Sequence, residues 1–431
     1  MAEWKARVNE SIEANAERII QMGETIFRHP ELGFKEEKTA RLVAELFAQL
    51  NLPYRTGVAL TGVVATMETG RPGPNVAVMG ELDSVLVADA PHADPTTGAA
   101  HSCGHNAQIA QMLGVAIGLQ ASGIMPQLAG RVTFMAVPSE EYVEIEYRNE
   151  LRRQGKIQFL GGKQEFIRLG EFENVDIAMM VHMSEKAEGV SVGGSTNGFF
   201  GKLIRYVGRA SHAAGAPEGG VNALNAAMIA LTAIHAQRET FRDEDHIRVH
   251  PIITRGGDLV NVIPADVRME TYVRGKSIEA IIDANQKVNR ALQAGAMAMG
   301  AEVEITEIPG YLPQLSCAEL SDLFRANTVA LLGAEQVTEG GHGSGSTDVG
   351  DVSHLIPTIQ PFFGAAEGHF HGADFRIVDP RMAYIEPAKA MAMTVIDLLA
   401  EDGARAKAIK ASFQPVYTRE SYLNMWANVV K

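Results

Sequence analysis

GFFGKLIRYVGRA, residues 198–210, is where the pattern of this chain changes, and its reading decides the fold. The stretch is rich in aromatic and branched residues and reads as a strand. A helical pattern follows at 219–239, GGVNALNAAMIALTAIHAQRE, then strands at 246–254 and 266–275. A second helix at 277–300 and a strand at 302–310 complete the run. Strand–helix–strand–strand–helix–strand is the order of a split βαβ, ferredoxin-like unit. Residues 199–311 are therefore expected to form an α+β domain inserted into another, which leaves 1–198 and 312–431 as its two parts.

Those flanks read differently. Before the insertion, apolar strands at 62–67, 75–83, 130–137 and 175–183 are separated by helical stretches. After it come a helix at 318–333, a Gly/Ser-rich loop at 340–353, a strand at 358–363 and a helix at 380–401. Alternating strands and helices predict a three-layer, doubly wound α/β domain with a largely parallel sheet. The N-terminal 27 residues read as one amphipathic helix. Ligands of such sheets bind beyond the carboxyl ends of the strands. GELD (80–83), SEE (139–141) and VHM (181–183) fall there. The Gly-rich loop lacks the Lys and following helix of a phosphate-binding loop.

Composition narrows the classes. The chain has 431 residues and a formal net charge of −14, which argues against nucleic-acid or anionic-membrane partners. Two cysteines, Cys103 and Cys317, suggest a reducing, cytoplasmic setting rather than a disulfide framework. No apolar run at the N-terminus has the length of a signal peptide.

HSCGHN, 101–106, puts a cysteine beside histidines just ahead of an apolar helix expected from about Asn106. On a turn, Cys103 and His105 can point at one ion; on a regular helix they would splay. A Cys-His nucleophile pair is the other chemical option. Glu140 and Glu141 are adjacent carboxylates at a strand end, able to divide metal binding from proton transfer. His182 closes an apolar strand, and His371, with His369 as its rival, lies in a late loop. Each has a plain reading as a buried thiol, a surface carboxylate or a strand-end histidine. Together they offer donors for one or two divalent ions, and the softness of the set suits Zn, Mn or Co better than Mg.

With these residues in view, the chain resembles the metallo-aminoacylase/carboxypeptidase superfamily (peptidase family M-20). HPELGF (29–34), HSCGHN, PSEE (138–141), GRASHAAGAPEGGVNALNAA (208–227), NVIPADVRMETYVR (261–274), STDVGDVS (346–353) and HGADF (371–375) occur in that family's order. Within it the chain is most similar to the bacterial amidohydrolase branch and its p-aminobenzoyl-glutamate hydrolase-like members. The resemblance implies Cys103, His105, Glu141, His182 and His371 as metal ligands and Glu140 as the proton-shuttling base. It implies His212 as the donor that steadies a tetrahedral oxyanion, often across a dimer. Asn261 and Arg274 would contact the polar end of the substrate, and the inserted domain would act as lid and homodimer interface.

The chain departs from that branch after the glutamate pair. The text YVEIEYRNELRRQGKIQFLGGKQ, 142–164, stands where small glycines are usual, so Tyr142, Glu144, Glu146 and Tyr147 would line the pocket or add an oxygen ligand. The expected function is a metal-dependent hydrolase of a C–N bond in a small molecule, an amide of an amino acid or of an aromatic amine. Two alternatives stand beside it: hydrolytic deamination of an aromatic amine, as in the similar nitroanthranilate aminohydrolase, and a non-catalytic binding protein on the same fold.

Overall fold

The computed structural model describes residues 1–429. The chain divides into two compact units. One comprises Met1–Ser195, Leu315–Gly341 and Asp351–Arg419; the other comprises Thr196–Gln314, His342–Gly350 and the segment from Glu420 onward. Among the described residues, no helix is long and apolar enough to cross a membrane.

The first unit is built on a sheet of six strands among the described residues. Their order is Tyr54–Val58, Gly62–Glu68, Arg131–Val137, Asn75–Glu81, Ile177–Met179 and Thr358–Ile359. The first two pairings are antiparallel, and the remaining three are parallel. Asn75–Glu81 is buried at every position, as a strand covered on both faces must be. Helix His105–Ser122 is apolar nearly all round because it lies under the sheet and against helices Ala2–Ala14, Ala16–Phe27 and Glu386–Leu399. Each Leu or Ile it buries contributes about 1.5–3 kcal/mol. Gly118 allows the close approach: a Cβ there would sit 2.4 Å from Cγ1 of Ile12.

Three expected elements are broken, each for a local reason. The N-terminal helix is two helices, because Asn15 turns its side chain back to the Ser11 carbonyl and its own N–H to Ile12. The strand at 246–254 is split into Arg248–Val249 and Ile252–Arg255 around Pro251, which has no N–H to give a ladder. The last long helix begins with a π-turn, Arg381–Ile385, because Pro387 cannot donate to the Ala383 carbonyl. The buried Gln111 amide donates to that carbonyl instead, at 2.6 Å.

The second unit has the ferredoxin-like order. Arg248–Val249 pairs with Asp266–Gly275, which pairs with Gly198–Val207, which pairs with Glu302–Ile308; Ile252–Arg255 also pairs with Asp266–Gly275. Every second residue of Asp266–Gly275 is buried, the signature of a sheet with one covered face. Helices Ala223–Gln237 and Ile278–Met299 pack on the sheet and on each other. They start at side-chain caps, Asn222 and Ser277, which accept from the N–H groups of Asn225 and Ala280.

Candidate metal centre

Three neighbouring parallel strands end on one edge of the main sheet and carry the site. The central strand, Asn75–Glu81, ends in Glu81 and is followed by Asp83. On one side Arg131–Val137 leads to Glu140 and Glu141, and on the other Ile177–Met179 leads to His182. Cys103 and His105 enter from the turn before helix His105–Ser122, which starts one residue earlier than expected. Gly104, at φ 86°, caps it in the left-handed region and turns both side chains the same way. His371 itself has φ 59°, held by its N–H donating to the Ser102 carbonyl at 2.8 Å.

The polar atoms converge. Cys103 Sγ lies 3.6 Å from His182 Nε2, and His371 Nε2 lies 2.9 Å from Glu141 Oε1. His105 Nε2 is 3.1 Å from Glu81 Oε2 and 3.9 Å from Glu140 Oε2. Donor atoms of Cys103, His105 and His182 lie within 4.8 Å of one another, and so do those of Cys103, Glu141 and His371, and of Glu81, His105 and Glu140. His369, the rival of His371, is exposed and paired with Asp374. The other edges of two of these imidazoles are fixed. His105 Nδ1 faces the Asp83 carbonyl at 2.9 Å, and His182 Nδ1 faces the Met183 carbonyl at 2.7 Å. Asp83 Oδ2 accepts from the Glu141 N–H, and Glu36 Oε1 from the Ser139 N–H, which anchors the left-handed turn at Ser139 (φ 55°) before the glutamate pair.

These residues fit divalent metal. With bonds of about 2.0–2.3 Å, two donors on one ion stand about 3–3.6 Å apart, as two of the pairs above do. Glu81 Oε2 and His105 Nε2 are buried without a hydrogen-bond partner, a costly state that an ion would relieve. The electrostatics agree. Burial opposes charge on His105, but the Glu81 carboxylate and the Cys103 thiolate outweigh it and raise its pKa well above the usual value. Burial likewise opposes charge on His371, yet Glu141 and Cys103 raise it to about 11. Burial and Glu141 push the Cys103 thiol up, and His182 and His105 more than reverse them, leaving it at about 6. The cluster draws positive charge from whatever is at hand.

The remaining expected residues lie elsewhere. Tyr142 is buried. The 142–164 departure forms two helices, Ile145–Arg153 and Gly162–Leu169. Glu144 is spent on an ion pair with Lys35 at 2.7 Å, and Lys35 also sits over the Tyr147 ring, so this carboxylate is turned to the HPELGF loop and is no ligand. His212, Asn261 and Arg274 belong to the second unit. His212 Nδ1 accepts from the N–H groups of Ala214 and Gly215, which leaves Nε2 to carry the proton and donate. The Asn261 carbonyl accepts from the Ala213 N–H at 2.9 Å, joining these two loops. Arg274 donates to Ser346 Oγ at 2.7 Å and to His250 Nε2 at 3.2 Å, over the rings of Phe199 and Tyr272.

Glu81, Asp83 and Lys163 had not been singled out. The acidic pair in GELD at the end of an apolar strand is a signal that could have found the first two. Nothing local marks Lys163, whose role depends on a partner 82 positions away, Glu81.

Residues 195–298 match the model of the peptidase dimerisation domain of M20 proteins. The chain is 27% identical to the mouse Xaa-Arg dipeptidase, over 97% of this chain and 94% of that one. Its fold is similar to that of an aminohydrolase from methicillin-resistant Staphylococcus aureus (TM-score 0.73, 22% identity, 92% of this chain and 100% of that one). It is also similar to that of a dinuclear metal binding peptidase of the M20 family from Bacillus subtilis (TM-score 0.66, 21% identity, 90% and 99%).

Proposed function

We propose, for this chain of the M20 metallo-aminoacylase superfamily, a metal-dependent hydrolase that cleaves the amide of an amino acid or of an aromatic amine in a small molecule. The carrying observation is a buried set of thiolate, imidazole and carboxylate donors with a second carboxylate, Glu140, beside it. Glu140 Oε2, at 3.9 Å from His105 Nε2, is too far to share an ion closely with that nitrogen yet near enough to meet a water held there. A bound divalent ion supplies Lewis acidity and lowers the pKa of water to about 7.

The rest belongs to the side chains. Cys103, His105, Glu141, His182 and His371 hold the ion or ions. Glu140 takes the proton from the attacking water at Oε2 and returns it to the leaving nitrogen. His212, with its proton on Nε2, is the donor for the oxyanion, worth roughly 10²–10³ in rate when well aimed. Arg274, with Ser346 and His250 around it, and Asn261 bind the polar end of the substrate. The charge count favours two ions. With the imidazoles neutral, as ligation requires, buried Glu81, Asp83, Glu140, Glu141 and the Cys103 thiolate carry five negative charges against the buried Lys163 ammonium, a deficit of four. Both cysteines are free, which supports a cytoplasmic protein, and the M20 dimerisation domain supports a homodimer.

Glu140→Gln keeps the shape of the side chain and removes the proton acceptor. Turnover of N-acylated amino acids is expected to fall by about 10²–10⁴ with metal content unchanged. A variant with wild-type activity refutes the mechanism. Ammonia released from aminoaromatic acids, with no cleavage of acylated amino acids, would transfer the assignment to deamination.

A further inference from the structure

Pro251 breaks the strand expected at 246–254, and the break sets His250 apart from both pieces, Arg248–Val249 and Ile252–Arg255. On the first piece Arg248 stands opposite Arg274 and Val249 opposite Val273; on the second Ile252 stands opposite Glu270. His250 thus falls beside Tyr272, on the sheet face that carries Arg274 and not on the one that buries Val249 and Val273. Its ring meets the Tyr272 ring edge-on, with centroids 5.7 Å apart, and its Nε2 lies 3.2 Å from Arg274 Nε. A guanidinium only donates, so Nε2 carries the lone pair and the ring is neutral, with its proton on Nδ1. Burial, then the Arg274 charge, lower the pKa of His250 and favour that form, and Arg238, whose Nη2 donates to the Val249 carbonyl at 2.6 Å, acts in the same direction.

Arg274 is held on several sides. Its guanidinium lies over the rings of Phe199 and Tyr272, at 5.1 and 5.5 Å from their centroids. Nη1 donates to Ser346 Oγ at 2.7 Å and Nε donates to His250. Neither acceptor carries a charge. A carboxylate in the place of His250 would hold the guanidinium as firmly but would neutralise it. Resting on the hydrolase reading above, we propose that His250 is a positioning residue: as an uncharged acceptor it orients Arg274 toward a carboxylate at the polar end of the substrate without neutralising it. A free arginine side chain has many rotamers, and ordering it at the moment of binding costs affinity. An imidazole that has already set the plane of the guanidinium removes much of that cost. Arg248, opposite Arg274 in the ladder, and Arg238 add positive charge around the same pair, which favours an acid over its uncharged amide.

The test uses the full-length protein and two probes, N-benzoylglycine and its uncharged carboxamide. Calorimetry on the zinc-free protein measures binding, and the zinc-loaded protein measures hydrolysis. The wild type is expected to prefer the acid in both. His250 is exposed, so its variants should melt as the wild type does. His250→Phe keeps a ring against Tyr272 and loses the acceptor. It should weaken binding of the acid and raise its KM by about three- to tenfold, the cost of ordering one long side chain, with little change in kcat or in the values for the amide. His250→Gln restores an uncharged acceptor and should recover most of that loss. His250→Glu holds Arg274 but cancels its charge, and should abolish the preference for the acid. An unchanged KM in the Phe variant, an equal loss for acid and amide, or a Glu variant that behaves as the Gln variant each overturns the proposal and leaves the hydrolase reading standing. The expected pattern in binding, with no hydrolysis of the acid or of any other N-acylated amino acid, supports the role of His250 and overturns the hydrolase reading. Failure of the wild type to bind the acid better than the amide overturns the proposal outright.

Discussion

Glu36 holds the turn before Glu140 and Glu141 from outside the cluster of donor atoms. It is fully buried, and its two oxygens accept from the Ser139 N–H at 2.8 Å and from the Thr61 hydroxyl at 2.6 Å, holding the left-handed residue that precedes Glu140. Burial, and then the nearby Asp83 charge, raise its pKa from 4.5 to about 7, against the pull of those two hydrogen bonds. A carboxyl with a raised folded pKa favours the native state while protonated. Its contribution is present in full below about pH 4.5 and disappears as pH rises through about 7. In the metal-free protein, Glu36→Gln should therefore gain stability over the wild type between pH 5 and pH 8, by up to about 3 kcal/mol. Urea unfolding at the two pH values reads this directly, and a pH-independent difference would show that Glu36 does not titrate there.

The elements of the second unit owe their spacing to one small residue. Gly295, inside helix Ile278–Met299, faces helix Ala223–Gln237, and a Cβ there would stand 2.4 Å from the Ala226 carbonyl oxygen and 2.8 Å from Ala230 Cβ. The obstacle is backbone, so it cannot rotate away. Gly295→Val is expected to destabilise this unit by about 1–3 kcal/mol despite the better helix propensity of valine, because overpacking outweighs it. Thermal unfolding checks the sign, and an unchanged or raised melting temperature would mean that the two helices are not pressed together at this point. The helix carrying His105 uses glycine in the same way at Gly118, against Ile12. Close helix contacts thus support both the second unit and the frame under Cys103 and His105.

For the molecule as a whole, the metal-free site stands in tension. Its negative charges raise the proton affinity of His105, His182 and His371 against the opposing effect of burial. Metal must displace those protons, since only neutral imidazole ligates. Zinc affinity should therefore rise with pH from 6 to 8 by more than one decade per unit, because more than one proton leaves. Isothermal titration in buffers of different ionisation enthalpy counts the protons, and a release near zero would contradict this charge balance. Chelation should lower the melting temperature and added zinc restore it, in the measure of its occupancy of the native state alone.

Much of this could be read along the chain. The change of period at 198–210 announced the split βαβ unit, and the sheet of that unit has the expected order, because strand and helix periodicities are local and repeat over many residues. HSCGHN, SEE, VHM and HGADF carry Cys103, His105, Glu140, Glu141, His182 and His371, whose polar atoms the fold brings to one edge, since strand ends are marked by where apolar runs stop. Breaks at Asn15, Pro251 and Pro387 were also written in the chain but carry little weight against a strong period. Tertiary structure alone decided the rest. It chose His371 over His369 by giving one to Glu141 and the other to Asp374. It turned Glu144 away to Lys35, and it buried Glu81 against Lys163 with one oxygen unsatisfied. Those outcomes depend on which side chains meet across long separations and on what remains after each has found its partner, and neither quantity is a property of a local stretch of sequence.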